Sequence, residues 1–192
     1  MNREDLTPDS IVAFLGDIVQ RRGADSYLGE PVTIGQHMLQ AAHLAESEEA
    51  GDDLVAAALL HDIGHYTGEF GEDYIEQGID NRHDEAGAQV LERFFPPLVT
   101  ECVRLHVAAK RFLCATEPDY FGRLSEASVK TLALQGGPMN AEEAAGFRRN
   151  PHFAEAVRVR LWDEAAKAPD MAVPGFEHYA ALLQRVVDRH RR

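Results

Sequence analysis

The feature that most constrains this chain is an uninterrupted apolar run that ends in a histidine and an aspartate. Residues 54–60 are all leucine, valine or alanine, and His61 and Asp62 follow directly. A continuous apolar run of this kind is typical of a buried element. Adjacent helical residues diverge by about 100°, so an imidazole and a carboxylate after a buried helix can reach one cleft and contact two metal ions. A dinuclear metal site is therefore the first hypothesis.

A lone His-Asp pair is a weak signal, because a core histidine bonded to a carboxylate is the simpler explanation unless the chain supplies further ligands. The candidate ligands, in chain order, are His37, His61, Asp62, His83, His106 and Asp163. Imidazole and carboxylate donors suit two iron, manganese or similar ions, whereas a structural zinc site would prefer thiolates. The chain has only two cysteines, which disfavours a thiolate zinc site.

Three of these candidates have a cationic or proton-donating residue one helical turn away. The pairs are His61 with His65, His106 with Lys110, and Asp163 with Arg160. Residues three or four apart share a helical face, so the spacing predicts a cationic rim around the metal pair. Such a rim suits a small substrate that chelates metal at one end and presents phosphate-like oxygens. For any single pair, a solvated surface charge is the alternative.

Composition limits the class of protein but does not identify it. The 192 residues, 45% of them hydrophobic, suffice for one well-buried core, and we expect a single domain over residues 1–192. The net charge of −13 would repel phosphodiester backbones and anionic lipid headgroups. We therefore expect neither nucleic acid nor membrane as a partner. No signal-like start and no long apolar span occurs, so we expect a cytoplasmic protein with reduced cysteines.

Hydrophobic periodicity is helical almost everywhere, which predicts an all-α fold. Residues 64–81 are rich in glycine, acids and aromatics without a sustained period, and they predict a loop that covers the site. Thr33 and Asn140 are expected to cap helices. Helices are predicted at about 11–19, 34–48, 54–62, 82–94, 97–110, 125–135, 141–148, 151–168 and 176–190. His43, six residues beyond His37, faces elsewhere and is interpreted as structural.

The six candidate ligands, in this order and at these intervals, resemble the HD-domain superfamily, and specifically its six-ligand, mixed-valent diiron oxygenases. Several stretches closely resemble the organophosphonate oxygenases of that branch, which act on 1-hydroxy-2-aminoethylphosphonates. They are Tyr27-Leu28-Gly29-Glu30, His61-Asp62-Ile63-Gly64-His65-Tyr66, His106-Val107-Ala108-Ala109-Lys110-Arg111, Leu124-Ser125-Glu126-Ala127-Ser128, Gln135-Gly136-Gly137-Pro138-Met139 and Trp162-Asp163-Glu164. The match runs from about Ile11 to Tyr179 and implies a single HD-domain helical bundle.

The resemblance implies one iron(II) and one iron(III) ion held by the six ligands, with dioxygen as co-substrate. The substrate would chelate iron through its C1 hydroxyl and a phosphonate oxygen, and cleavage of the carbon–phosphorus bond would give a carboxylic acid and phosphate. The residues that would hold the phosphonate are His65, Lys110, Ser128, Thr131 and Arg160. For Thr131, a hydroxyl that merely solvates its helix is an equal alternative. Gln135 fits the motif without an assigned role.

Two residues that precede the first ligand would respond to substrate. By resemblance, Tyr27 occupies an iron position until the substrate's ammonium group draws Glu30 inward. Without the resemblance both are ordinary loop residues.

The sequence leaves two possibilities for the ammonium group of the substrate. A primary amine would yield glycine, and a trimethylammonium group would yield glycine betaine. Aromatic faces and unbonded negative charge favour the methylated group, and the loop offers Tyr66, Phe70 and Tyr74 among Glu69, Glu72, Asp73, Glu76 and Asp80. The sequence therefore leans slightly toward the trimethylammonium substrate, although a solvent-facing acidic loop explains these residues equally simply.

The ligand set alone does not decide between redox chemistry and hydrolysis. The same donors could hold two ions that activate water, as in an HD-type metal-dependent phosphohydrolase acting on a phosphomonoester or nucleotide. A third class is an inactive HD module that binds a nucleotide, against which six intact candidate ligands argue. The outer motifs favour the oxygenase.

Overall fold

The fold is a bundle of α-helices. The structure, a computed structural model, describes residues 5–25, 27, 29–67 and 79–191. The helices are α1 Ile11–Arg22, α2 Ile34–Ser47, α3 Asp52–Leu60, α4 Gly64–Thr67, α5 His83–Leu91, α6 Pro97–Thr116, α7 Glu126–Leu134, α8 Ala141–Arg148, α9 Phe153–Ala165 and α10 Phe176–His190. The described ranges contain no β-strand, and the prediction of an all-α fold is confirmed.

Helix α3 is the centre of the bundle, because its apolar run packs against neighbours on several sides. Every residue from Leu54 to Leu60 is buried, and α3 contacts α2, α6, α9 and α10. Burying a leucine or valine side chain stabilises a fold by roughly 1.5–3 kcal/mol, so this helix is strongly held. The residues that follow its last turn are therefore placed in the interior.

Two predicted helix caps are present. The Thr33 hydroxyl accepts a hydrogen bond from the backbone N–H of Gln36 at 3.2 Å, and the Gln36 side chain accepts one from Thr33 N at 2.9 Å. Asn140 forms the equivalent reciprocal pair with Glu143 at the start of α8. These capping boxes fix where α2 and α8 begin.

The structure corrects the prediction of a loop over residues 64–81 at its first four positions. Gly64–Thr67 forms the single turn of α4, too short to show any periodicity in the sequence. A Cβ at Gly64 would lie 1.7 Å from the carbonyl oxygen of His83, so glycine is what allows α4 to lie against α5. Most of the predicted ammonium-binding loop, including Glu69, Phe70, Glu72, Asp73, Tyr74 and Glu76, lies outside the described residues.

Helix boundaries also differ from those predicted. Helix α6 continues to Thr116, six residues past the predicted end, because Phe112 and Leu113 enter a second apolar cluster with Phe147. Helix α5 ends at Leu91 and α9 covers only Phe153–Ala165. In the part of the chain that is described, no helix is both long and apolar enough to cross a lipid bilayer.

Candidate metal centre

All six predicted ligands are buried and converge at the centre of the bundle. Their exposed fractions range from 0 to 7%. They lie on α2, α5, α6 and α9 and in the turn that follows α3, and they are His37, His61, Asp62, His83, His106 and Asp163. Two groups, His37 with His61 and Asp62, and Asp62 with His83 and His106, bring their ligand atoms within 4.8 Å of one another.

The first half of the centre is built around His37. Its Nε2 lies 3.0 Å from His61 Nε2, 3.4 Å from Asp62 Oδ2 and 3.3 Å from Asp163 Oδ1. Four donor atoms from distant parts of the chain therefore face one small volume.

The second half is built from His83 and His106, whose Nε2 atoms are 3.0 Å apart. These nitrogens lie 3.4 Å and 3.5 Å from Asp62 Oδ1, the carboxylate oxygen that the first half does not use. Asp62 thus presents one oxygen to each half, which is the arrangement of a bridging carboxylate.

Backbone carbonyls fix the orientation of three of the four rings. The Nδ1 atoms of His37, His61 and His106 lie 2.8, 2.8 and 2.7 Å from the carbonyl oxygens of Ala166, Ala58 and Val103. A carbonyl only accepts, so each Nδ1 carries the proton and each Nε2 presents a lone pair to the centre. His83 Nδ1 is held in the same way by Asn81 Oδ1, at 2.9 Å. Such contacts are the usual outer support of metal-bound histidines.

This donor set fits metal ions. Two Nε2 lone pairs at 3.0 Å cannot hydrogen-bond to each other, so only a cation between them satisfies both. Asp163 Oδ1 is buried and has no hydrogen-bond partner among the described residues. Although burial opposes it, the adjacent carboxylates of Asp163 and Asp62 raise the pKa of His37 to about 9. In the absence of another cation a proton takes that place, so the first half demands positive charge.

The second half favours neutral imidazoles. Burial lowers the pKa of His106 to about 4, and burial together with the neighbouring His65 lowers the pKa of His83 well below its ordinary value. Neutral imidazole is the form that binds metal. This half can therefore accept a metal ion without first losing a proton.

The predicted substrate contacts line one cavity beside the metal ligands. These residues are His65, Lys110, Ser128, Thr131 and Arg160, and Tyr27, Glu30 and Gln135 line the same cavity. The His65 ring stacks on His83 with centroids 4.2 Å apart, and its Nε2 lies 3.9 Å from Asp62 Oδ1. The structure thus brings the predicted rim and the predicted ligands to one place.

Lys110 is buried, and its ammonium group is oriented by Thr131. Lys110 Nζ donates to Thr131 Oγ1 at 2.9 Å, and the Thr131 hydroxyl donates onward to the carbonyl of Ser128 at 3.2 Å. Because its single proton is already used, Thr131 is better suited to positioning Lys110 than to donating to a ligand. Burial, with the neighbouring Arg160, lowers the pKa of Lys110 to about 7.

Arg160 makes more hydrogen bonds than its spacing from Asp163 predicts. Its Nε donates to Tyr120 Oη at 2.7 Å, and its two terminal nitrogens donate to Asp163 Oδ2 and to Glu164 Oε2. Arg160 therefore holds Asp163 with its free oxygen facing the metal centre. The sequence reasoning missed Tyr120 and Glu164 as partners of this arginine.

Tyr27 closes one side of the centre. Its hydroxyl donates to Asp62 Oδ2 at 2.7 Å, and its ring stacks on His37 with centroids 4.4 Å apart. Burial, and then the Asp62 carboxylate, raise the pKa of the Tyr27 phenol well above its ordinary value.

A second lysine beside the cavity, Lys167, is partly buried and was not predicted. Lys167 Nζ lies 3.0 Å from Ser128 Oγ and 3.5 Å from Glu30 Oε1. Lys167 is four residues from Asp163, as Lys110 is from His106, but α9 ends at Ala165, so helical spacing alone does not place Lys167 beside the centre.

Comparison with known proteins identifies one protein family and two similar dioxygenases. The HD domain family matches residues 34–163. The chain is 54% identical, over 96% of its length and 94% of the relative, to the [1-hydroxy-2-(trimethylamino)ethyl]phosphonate dioxygenase (glycine-betaine-forming) of Leisingera caerulea. It is 44% identical, over 95% of its length and 90% of the relative, to the hydroxymethylphosphonate dioxygenase of Gimesia maris.

Proposed function

This chain belongs to the HD-domain family and, within it, to the phosphonate dioxygenases, and from that premise we propose that it cleaves 1-hydroxy-2-(trimethylamino)ethylphosphonate with dioxygen. The products would be glycine betaine and phosphate. One molecule of dioxygen balances the reaction, since both of its oxygen atoms appear in the two products. The relative named for this activity shares more than half of the aligned residues, which is why we place this substrate ahead of the primary amine.

We propose iron as the metal, in a mixed-valent pair. His37, His61 and Asp163 would hold one ion, His83 and His106 the other, and Asp62 would bridge both. The iron pair would supply the binding and reduction of dioxygen. Histidine and carboxylate ligands are those that non-haem iron oxygenases use.

The observation that carries the proposal is the position of Asp62 between two histidine pairs, next to a cavity lined by cationic and hydroxyl groups. A phosphonate oxygen and the adjacent C1 hydroxyl can approach such a centre together. Holding the reacting carbon in one orientation is a large part of what a site contributes to catalysis.

The phosphonate end would be held by Lys110, Ser128 and His65. Ser128 Oγ accepts from Lys167, so its own proton is available to a phosphonate oxygen. Lys110 supplies a buried positive charge, which is stronger there than at the surface. Arg160 adds positive charge to the same end while it holds Asp163, and Thr131 orients Lys110.

Substrate entry requires at least one lining side chain to move. The solvent-accessible volume of the cavity is about 30 Å³, enough for only about two water molecules, since one needs roughly 10–15 Å³ by this measure. A trimethylammonio phosphonate is far larger than this. We propose that binding displaces Tyr27 from Asp62 and brings the substrate's ammonium group to Glu30, so that Tyr27 shields the centre until substrate arrives.

The test of this proposal is phosphate release with and without dioxygen. Iron-loaded protein and 1-hydroxy-2-(trimethylamino)ethylphosphonate are expected to give phosphate only aerobically, with about one dioxygen consumed per phosphate. The primary-amine analogue run in parallel ranks the two substrates by kcat/KM. Equal phosphate release from a phosphomonoester under nitrogen would instead assign a hydrolase, and release in neither atmosphere would leave a binding module.

A second prediction concerns pH. Lys110 must be protonated to pair with the phosphonate, and its pKa is lowered to about 7. We therefore expect kcat/KM to fall as pH rises through this range, because the neutral amine attracts an anion less. In Lys110→Arg the guanidinium stays charged, so this fall should disappear even if the absolute rate is lower. An identical pH profile for both proteins would contradict the role of Lys110.

A further inference from the structure

Lys167 joins the two ends of the proposed substrate site. It follows α9, its side chain is 10% exposed, and its ammonium group lies 3.0 Å from Ser128 Oγ at the phosphonate end. The same group lies 3.5 Å from Glu30 Oε1 at the ammonium end and 3.4 Å from Glu164 Oε1. One cation thus contacts the residues proposed to hold opposite ends of the ligand.

Glu30 needs such a cation. Its side chain is only 7% exposed, and a buried carboxylate without a counter-charge is strongly unfavourable. Ser125 Oγ donates a hydrogen bond to the same oxygen, Glu30 Oε1, but a hydroxyl carries no charge. Among the residues that the structure describes, Lys167 is the cation within ion-pair distance of Glu30.

We infer that Lys167 is a specificity-determining residue that acts as the internal counter-ion of Glu30 and thereby lets the site accept phosphonates that lack a cationic head. The inference rests on the proposed function. A trimethylammonio substrate brings its own positive charge to Glu30. A phosphonate without that group brings no positive charge. If Lys167 is removed, such a phosphonate faces the Glu30 carboxylate without any counter-charge.

If Lys167 has this role, removing its charge should change the ratio of the affinities for hydroxymethylphosphonate and for the trimethylammonio phosphonate. In Lys167→Met we expect hydroxymethylphosphonate to bind about 30-fold more weakly, because a dianion now faces Glu30 at low dielectric. The trimethylammonio phosphonate should lose no more than about 3-fold, since its attraction to the freed Glu30 offsets the weaker phosphonate end. Lys167→Arg should restore both affinities to within about 3-fold of the original protein.

Dissociation constants are measured by calorimetry on the metal-loaded protein without dioxygen, so that binding is read without turnover. Metal content and circular dichroism accompany each variant. The matched control is Lys130→Met, which removes an exposed lysine of α7 that pairs only with Glu126 in the described structure. That variant should bind both ligands as the unchanged protein does.

A second variant keeps the test decisive if Lys167→Met folds poorly. Glu30→Gln is expected to weaken the trimethylammonio ligand about 10-fold or more and to leave hydroxymethylphosphonate within about 3-fold. In the double variant, hydroxymethylphosphonate affinity should recover, because the repelling charge is gone. Equal weakening of both ligands in Lys167→Met overturns the inference alone. An unchanged ratio in Glu30→Gln overturns the inference and also the proposed contact between Glu30 and the substrate's ammonium group. Failure of the unchanged protein to bind either phosphonate overturns the proposed function itself.

Discussion

Replacing Asp62 with asparagine is expected to lower phosphate release by at least about 1,000-fold and to reduce bound metal from the proposed two iron ions per chain to one or fewer. Both carboxylate oxygens of Asp62 are used, since Oδ2 lies 3.4 Å from His37 Nε2 and Oδ1 lies 3.4 Å from His83 Nε2. An asparagine keeps one oxygen but turns an N–H₂ donor toward the other half of the centre. Elemental analysis of the purified protein and a phosphate assay measure the two effects.

The control for this variant is Asp53→Asn, which alters a carboxylate in the first turn of α3. Asp53 pairs with Arg189 near the surface, and such pairs contribute little to stability. Iron content and turnover should therefore be unchanged in that protein. An Asp62→Asn protein that kept both its iron and its activity would show that Asp62 does not bridge the two halves.

Much of this centre could be predicted because helices repeat regularly. The apolar run before His61 predicts a buried helix, and such a helix must deliver the next residues to the interior. The one-turn spacing of His106 and Lys110 likewise places ligand and cation on one face whatever the rest of the chain does. The helix caps at Thr33 and Asn140 were predictable in the same way, because each depends on residues that are close in the sequence.

The remaining features depend on contacts between segments that are distant in the sequence. Ser125 reaches Glu30 across 95 positions, and Tyr120 reaches Arg160 across 40. No periodicity encodes such pairings, because they depend on how distant segments of the chain come together in the bundle. The turn of α4 escaped prediction for a similar reason, since it depends on the close approach of Gly64 to α5. Sequence spacing therefore predicts which residues converge, whereas the hydrogen-bond partners of their side chains depend on packing.

Replacing Lys110 with alanine is expected to raise KM for the phosphonate about 100-fold while iron content stays the same, because truncating a buried charge partner typically costs 2–5 kcal/mol or more. The side chain is 4% exposed, and its Nζ donates to Thr131 rather than to a metal ligand. Loss of the ammonium group therefore removes attraction for the phosphonate without removing a donor from the centre. Steady-state kinetics and metal analysis on the same sample separate the two effects.

Thr131→Val tests whether Thr131 acts through Lys110. If Thr131 only orients the ammonium group, the valine variant should raise KM by about 10-fold, and the double variant should be no worse than Lys110→Ala alone. If Thr131 itself donates to the phosphonate, the two losses should multiply, because each variant then removes a separate contact. The hydrogen bond from Thr131 Oγ1 to the Ser128 carbonyl favours the first outcome, since that bond leaves the hydroxyl no second proton to donate.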